Sequence, residues 1–119
     1  VTLAGINDLS AYRSAGAEPC GGPGVIDALT GAPRRPDPFS DASPAALLPL
    51  AIPQRVISGE RDPIVPSSFG EAYAVRAAEA GDPVRAMTIP GAGHFELIDP
   101  AAPAWSAVVA EIEDLANGG

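Results

Sequence analysis

The chain has 119 residues, 46% of them hydrophobic and 18% charged, which is enough apolar material for one compact domain and too little chain for two. Seven basic residues, all arginines, stand against 15 acidic ones, and the net charge of −8 argues against binding to nucleic acid. The single cysteine, Cys20, excludes an internal disulfide and a zinc site built from cysteines. No apolar run is long enough to span a membrane, so we expect a soluble, cytoplasmic domain.

The first six residues, VTLAGI, form a short and nearly continuous apolar run. Such a run is typical of a strand buried on both faces of a parallel sheet, and Asn7-Asp8 ends it with residues that favour turns. Because residue 1 is valine and the run starts at once, we expect the sequence to begin partway through a larger fold. The cellular compartment then also depends on whether a signal peptide precedes Val1.

Residues 9–53 differ in composition from the residues that follow. They are rich in glycine and proline, as in Cys20-Gly21-Gly22-Pro23-Gly24, and they contain only short apolar clusters. This segment is predicted to be an irregular, lid-like insertion that holds one or two short helices and lies over a more regular scaffold.

Residues 54–119 alternate strands with helices. Strands are predicted at Gln54–Gly59 and Val84–Ile89, and the alanine-rich residues 67–80 between them are predicted to be a helix. A last helix is expected to present apolar residues at helical spacing on one face, namely Trp105, Val108, Val109, Ile112 and Leu115.

Several residues predict where these helices begin and end. Ser68 and Glu71 have the spacing of a capping box, in which each side chain accepts a hydrogen bond from a free backbone N–H of the first turn. Gly81 has the position of a left-handed cap after the same helix. Asp99-Pro100 is expected to open the last helix.

The order of elements predicts the fold class. Strand, insertion, strand, helix, strand and helix favour an α/β protein of one domain over residues 1–119, with a short parallel sheet of about three strands, flanking helices and an irregular insertion. An apolar edge strand is an aggregation hazard unless it is covered, so the first strand is expected to pair with further sheet or with another chain.

Two polar residues, Asp62 and His94, each follow a predicted strand. Parallel strands deliver the residues after their carboxyl ends to one edge of the sheet, where open α/β sheets place their active sites. A carboxylate there can hold one ring nitrogen of an imidazole while the other nitrogen acts as a general base. Taken singly, a loop histidine is usually exposed or merely hydrogen-bonded, and an aspartate before Pro63 is typical of a turn. Taken together, the two match the last members of the chain order Ser, Asp, His.

The segments around these residues resemble those of α/β-hydrolases, in particular the esterase and prolyl-oligopeptidase-like branch. The similar segments are GERDPIVP at 59–66 and IPGAGHFE at 89–96, together with LAGINDL at 3–9, Ser43-Pro44 and Leu48-Pro49. The resemblance covers nearly the whole chain and implies the carboxyl-terminal half of an α/β-hydrolase fold. It also implies that Asp62 orients His94, that His94 is the general base, and that Val65 helps to wall the site.

The nucleophile of that family is missing from this sequence. None of the eight serines lies in a Gly-x-Ser-x-Gly motif, and no His-Gly-Gly oxyanion loop occurs. Cys20 is a weak substitute, because its loop lacks the rigid turn that a nucleophile needs. One histidine and scattered carboxylates do not form a metal-ligand set, and we expect neither a metal nor a cofactor. The chain alone is therefore predicted not to hydrolyse esters at the rate of a complete triad.

Three functions remain open from the sequence. The chain is predicted to be part of a serine hydrolase that acts on a small-molecule ester or amide. A prolyl-oligopeptidase-type peptidase and an arylformamidase share the same two motifs and are alternatives. A noncatalytic module that pairs with a missing half or with a second copy is the third. A nucleotide-binding domain is disfavoured, because no glycine-rich phosphate loop follows the first strand.

Overall fold

A computed structural model describes residues 1–15, 17–32 and 34–119. In chain order, its strands and α-helices are β1 (Thr2–Leu3), α1 (Leu9–Ala15), α2 (Pro23–Thr30), β2 (Gln54–Gly59), α3 (Ser67–Glu79), β3 (Val84–Ile89) and α4 (Trp105–Ala116). The strands form one open sheet in the order β1-β2-β3, and both pairings are parallel. The predicted α/β class and the short parallel sheet are confirmed.

Helices α3 and α4 cover opposite faces of the sheet. All six residues of β2 are buried, and successive side chains of a strand point to opposite faces. Val56 packs in one apolar cluster with Tyr73 of α3, whereas Ile57 packs in the other with Val108 of α4. The central strand is therefore buried on both sides, as is typical of a parallel sheet with helices on both faces.

The insertion contributes to the core on the α4 side. Besides α1 and α2, it contains two short 3-10 helices, Glu18–Cys20 and Pro44–Ala46. Tyr12 of α1 and Ile26 of α2 are buried in the same cluster as Ile57. The one or two short helices predicted for this segment are thus present, while residues 16 and 33 lie outside its described part.

The first strand is shorter than the predicted residues 1–6. Its ladder covers Thr2–Leu3, and the last rung is a hydrogen bond from the Ala4 N–H to the Ile57 carbonyl at 2.8 Å. Ala4 has a φ of +47°, which turns the chain out of the extended conformation. Backbone geometry at Ala4 ends the strand before the apolar run ends.

The predicted capping box is wrong. Helix α3 has Pro66 at its N-cap and no side-chain cap hydrogen bond. Glu71 instead accepts a hydrogen bond from the Thr88 hydroxyl on β3 at 3.1 Å, so the tertiary contact replaces the local one. The end of the helix was predicted correctly, since Gly81 has a φ of +98°.

Helix α4 begins at Trp105 and not at Asp99. The Asp99 carboxylate accepts a hydrogen bond from the Ala101 N–H at 2.9 Å within a turn, and residues 100–104 are turns and bends. Asp99 therefore caps a turn that lies before the helix.

The buried face of α4 is only partly the predicted apolar stripe. Val108 is fully buried, but Ile112 is exposed and Glu111 is buried. Glu111 lies against Arg55 of β2, which is buried as well. A charge pair between helix and sheet thus replaces part of an apolar contact. Across the described ranges, no helix is both long and apolar enough to cross a membrane.

Candidate functional site

The site lies where the ends of β2 and β3 meet. The parallel register pairs Gly59 with Ile89, so the two following loops start side by side. Backbone hydrogen bonds join the loops, from the Arg61 N–H to the Ala92 carbonyl at 2.8 Å and from the Glu60 N–H to the Ile89 carbonyl at 3.1 Å. The chain segments that carry Asp62 and His94 are therefore fixed to each other through main-chain atoms.

Gly59 permits this close approach. A Cβ atom at this position would lie 2.6 Å from the carbonyl oxygens of both Ala92 and Gly93, which is closer than any ordinary contact. Any larger residue would push the two loops apart, since the opposing atoms belong to backbone. The glycine at the end of β2 sets the spacing between the two loops.

Asp62 and His94 are in direct contact. Oδ2 of Asp62 lies 2.7 Å from Nδ1 of His94. The Asp62 side chain is 0% exposed and the His94 side chain 26% exposed, so the pair is shielded on the carboxylate side and open on the imidazole side. The structure brings together the two residues that the sequence singled out.

The carboxylate has further support. Its other oxygen, Oδ1, accepts hydrogen bonds from the backbone N–H groups of Ile64 and Val65 at 2.8 and 2.9 Å. Three hydrogen bonds therefore hold the Asp62 carboxylate in place within the turn that follows β2. An ionised carboxylate only accepts hydrogen bonds, so this contact favours the Nδ1–H tautomer of a neutral imidazole, in which Nε2 carries a lone pair. Val65, which the resemblance placed in the wall of the site, is buried and acts here through its N–H.

The imidazole is free on its other side. Within the described part of the chain, its only side-chain hydrogen bond is the one to Asp62. The ring of Phe95 meets it edge to face, with centroids 5.1 Å apart. Phe95 and Ile98, on the 3-10 helix Phe95–Ile98 that follows His94, are both more than 60% exposed. An open nitrogen next to apolar surface is suited to a general base beside an uncharged substrate.

None of the hydroxyl or thiol groups in the described residues hydrogen-bonds to His94. Ser43 is buried and accepts a hydrogen bond from the Leu9 N–H at 3.1 Å. Ser58 is buried inside β2, where its Oγ lies against Gly70 of α3. Cys20 lies 3.2 Å from the hydroxyl of Tyr12. The described residues hold an acid and a base but no nucleophile hydrogen-bonded to them.

A cavity of about 270 Å³ borders the His94 loop without including the imidazole. Its lining residues are Pro90, Gly91, Ala92, Glu96, Pro103 and Ala104. Glu96 is exposed there. Among the described residues, no group of three or more histidine, cysteine, aspartate or glutamate side chains has a geometry that could hold a metal ion.

The groups that hold the Asp62–His94 pair in place were not predicted from the sequence. The two N–H donors at Ile64 and Val65 leave no side-chain signature, although an aspartate followed by proline and two apolar residues does predict a turn. The hydroxyl of Tyr12 reaches the carbonyl of Ile64 at 2.8 Å across 52 positions of sequence, a contact that no local pattern predicts.

Comparison of the chain with models of protein families and with curated proteins finds no match.

Proposed function

We propose that Asp62 and His94 are the acid and the base of a Ser-His-Asp triad in a carboxylic ester hydrolase, and that the nucleophile and oxyanion donors come from outside the 119 residues. The observation that carries the proposal is the 2.7 Å contact between Oδ2 and Nδ1, on a carboxylate that two backbone N–H groups hold from the other side. A turn aspartate without function needs no histidine partner, and a loop histidine without function needs no buried carboxylate.

The proposed reaction is acyl transfer to water. Nε2 of His94 takes the hydroxyl proton of the nucleophile while that oxygen bonds to the ester carbonyl carbon. The imidazolium then gives this proton to the leaving alcohol oxygen as the ester C–O bond breaks, which leaves an acyl-enzyme. Water repeats the same steps and releases the acid. Asp62 stabilises the imidazolium in both halves, while its own proton count does not change.

The surroundings of the base favour an uncharged, apolar ester. Phe95 offers exposed apolar surface beside the imidazole, Ile98 adds exposed apolar surface on the same 3-10 helix, and Glu60 and Glu96 add negative charge on the flanking loops. The whole chain carries a net charge of −8, which disfavours anionic substrates. Hydrolysis of a small amide, a formamide or a peptide would use the same two side chains. The peptidase and arylformamidase alternatives are therefore kept as variants of this proposal.

The proposal is tested by fluorophosphonate labelling and by p-nitrophenyl ester hydrolysis. Both are run on the 119-residue chain and on the polypeptide encoded by its complete reading frame. We expect labelling and turnover only in the second, and their loss in His94→Ala. Asp99→Asn is the matched control, because Asp99 is an exposed loop aspartate that caps the Ala101 N–H and touches neither site residue.

Labelling of the 119-residue chain by itself would show that a nucleophile lies within it and would overturn that part of the proposal. Silence of both proteins would overturn the hydrolase proposal.

A second candidate, a pairing module, is favoured by the sheet edge. Strand β1 pairs only with β2 in the described sheet, and Val1 beside it is half exposed. An open parallel edge is a surface on which a further strand can pair. Light scattering of the purified chain tests this candidate: a stable dimer, or a complex with a co-purified polypeptide, supports pairing, and a monodisperse monomer at high concentration contradicts it.

A further inference from the structure

Tyr12 forms the outer end of a chain of contacts that leads to His94. It lies on α1 and its side chain is fully buried. Its hydroxyl donates to the Ile64 carbonyl at 2.8 Å. The N–H groups of Ile64 and of the next residue, Val65, donate to Asp62, and Asp62 contacts His94. Tyr12 is therefore two hydrogen bonds away from the carboxylate.

Two further contacts fix the position of the Tyr12 ring. It packs against the ring of Phe69 of α3 in a T-shaped arrangement, with centroids 5.3 Å apart and an interplanar angle of 68°. Its hydroxyl oxygen lies 3.2 Å from the Cys20 sulfur. The ring is thus held on its side and at its tip, and it lacks room to swing away from the acid loop.

The hydroxyl proton stays available as a donor. Burial, the hydrogen bond with Cys20 and the nearby negative charge of Asp62 all raise the pKa of the Tyr12 phenol above its ordinary value. The neutral form, which is the one that can donate to the Ile64 carbonyl, is therefore kept over the whole working pH range.

We propose that Tyr12 is a positioning residue for the Asp62–His94 pair, acting through the Ile64 carbonyl on the turn whose N–H groups hold the carboxylate. The proposal rests on the proposed function, since positioning matters only if the pair does chemistry. The Ile64 peptide is the link. Its carbonyl is tied to α1, so its neighbouring N–H groups point at Oδ1 and leave Oδ2 directed at the imidazole. The inserted helix α1 thereby becomes part of the site without touching substrate.

The test uses the 119-residue chain, in which His94 is the only histidine and gives a single set of imidazole resonances. In wild type, ¹⁵N NMR is expected to show a hydrogen-bonded Nδ1–H proton at low field and the Nδ1–H tautomer. In Tyr12→Phe, which keeps the ring, we expect this proton signal to broaden or vanish and the tautomer to become mixed. Hydrogen exchange at the Ile64 and Val65 amides should speed up about tenfold, the size of one net hydrogen bond.

Cys20→Ala is the matched control. It removes the other hydroxyl contact of Tyr12 and leaves the bond to Ile64 in place. The His94 signal and the two amide exchange rates should stay within about twofold of wild type. Exchange in the middle of the central strand β2, at the buried residues Val56 and Ile57, reports global stability and should not change selectively in either variant.

The outcomes separate this inference from the proposed function. An intact His94 signal in Tyr12→Phe overturns the positioning role and leaves the pair untouched. Uniformly faster exchange that includes the central strand β2 shows a merely structural role and also overturns it. Absence of the Nδ1–H signal in wild type contradicts the hydrogen bond between Asp62 and His94, and therefore also the positioning role of Tyr12.

A second measurement keeps the inference testable if Tyr12→Phe does not fold. With 3-fluorotyrosine in place of the two tyrosines, Asp62→Asn should move the ¹⁹F resonance of Tyr12 and leave that of Tyr73, on the other face of the sheet, in place. A shift of neither resonance, or equal shifts of both, contradicts the coupling between Tyr12 and the acid.

Discussion

Oδ2 of Asp62 lies 2.7 Å from Nδ1 of His94, although the two residues are 32 positions apart in sequence. The parallel pairing of β2 with β3 accounts for this contact, because it brings the loops after both strands to one edge of the sheet. The carboxylate is buried and the imidazole is partly open, so the pair is accessible to solvent from the imidazole side.

Replacing Asp62 by asparagine should strongly impair the active polypeptide. An amide in place of the carboxylate can donate to the imidazole and so favours the wrong tautomer, and it does not stabilise the imidazolium. In a serine protease triad the same change lowers kcat about 10⁴-fold, and we expect a loss of about 10³-fold or more in the turnover of p-nitrophenyl ester. Asp99→Asn should retain wild-type turnover. A loss smaller than tenfold in Asp62→Asn would contradict the assigned role.

Replacing Gly59 by alanine should separate the two loops. The added Cβ would lie 2.6 Å from the carbonyl oxygens of Ala92 and Gly93, which belong to backbone and cannot turn aside. We expect a loss of about 1–3 kcal/mol in the free energy of unfolding, measured by urea titration, and a disturbed His94 resonance.

Gly24→Ala is the control for this change. A Cβ at Gly24 would meet nothing within 4 Å, and its φ is not positive. Its effect should stay within about 0.5 kcal/mol. Equal stabilities of the two alanine variants would show that the close approach at Gly59 is unimportant.

The buried pair of Arg55 and Glu111 should respond asymmetrically to substitution. The two side chains are each 7% exposed, and Nε of Arg55 lies 3.1 Å from Oε2 of Glu111 without the alignment of a hydrogen bond. Glu111→Ala leaves the guanidinium buried with Asp114 as its one remaining carboxylate partner among the described residues, and should cost about 3 kcal/mol in the free energy of unfolding. Arg85→Ala, which removes a mostly exposed partner of Glu111, should cost less than about 1 kcal/mol.

Urea unfolding monitored by circular dichroism measures both changes. A similar, small cost for the two variants would mean that the buried pair contributes no more than a surface ion pair. Replacing Arg55 and Glu111 together by apolar residues of similar volume should recover most of the loss.

The two tyrosines should make the fold sensitive to alkali. Burial raises the pKa of Tyr12, as do its contact with Cys20 and the charge of Asp62, and burial followed by the charge of Asp82 raises the pKa of Tyr73. Unfolded tyrosines ionise near about pH 10, so above that pH the unfolded chain releases protons that the folded chain keeps. This contribution to stability is complete below about pH 10 and is lost as the pH rises further.

Urea titrations at increasing pH measure the effect. The free energy of unfolding should fall above about pH 10. In Tyr12→Phe this free energy should fall less steeply with pH, because one of the two buried phenols is gone. Tyrosinate absorbance that develops near about pH 10 while the protein is still folded would contradict this expectation.

The sequence was most informative where local chemistry determines the structure. The bounds of β2 and β3 match the prediction because both strands lie between a proline and a turn and carry β-branched residues. Asp62 and His94 could be selected because parallel strands order their following loops. The lengths of β1 and α4 were misjudged, since the backbone angle of Ala4 and the turn before Trp105 do not follow from hydrophobic periodicity.

The contacts that hold the site could not be predicted in the same way. The bond from Tyr12 to Ile64 joins an inserted helix to a turn 52 residues later, and it uses a main-chain acceptor that every residue possesses. Glu111 interrupts an apolar stripe and looks exposed until Arg55 is placed opposite it. Both contacts depend on how elements pack together and not on any pattern within one element.

The tautomer of His94 in the 119-residue chain, determined by ¹⁵N NMR on the neutral imidazole, tests the Asp62–His94 pair without any assumption about substrate. We expect Nδ1 to carry the proton, in a hydrogen bond to Asp62 that Asp62→Asn abolishes, and Nε2 to be unprotonated. A predominant Nε2–H tautomer, or a ring that averages between the two forms as in a free peptide, would contradict it.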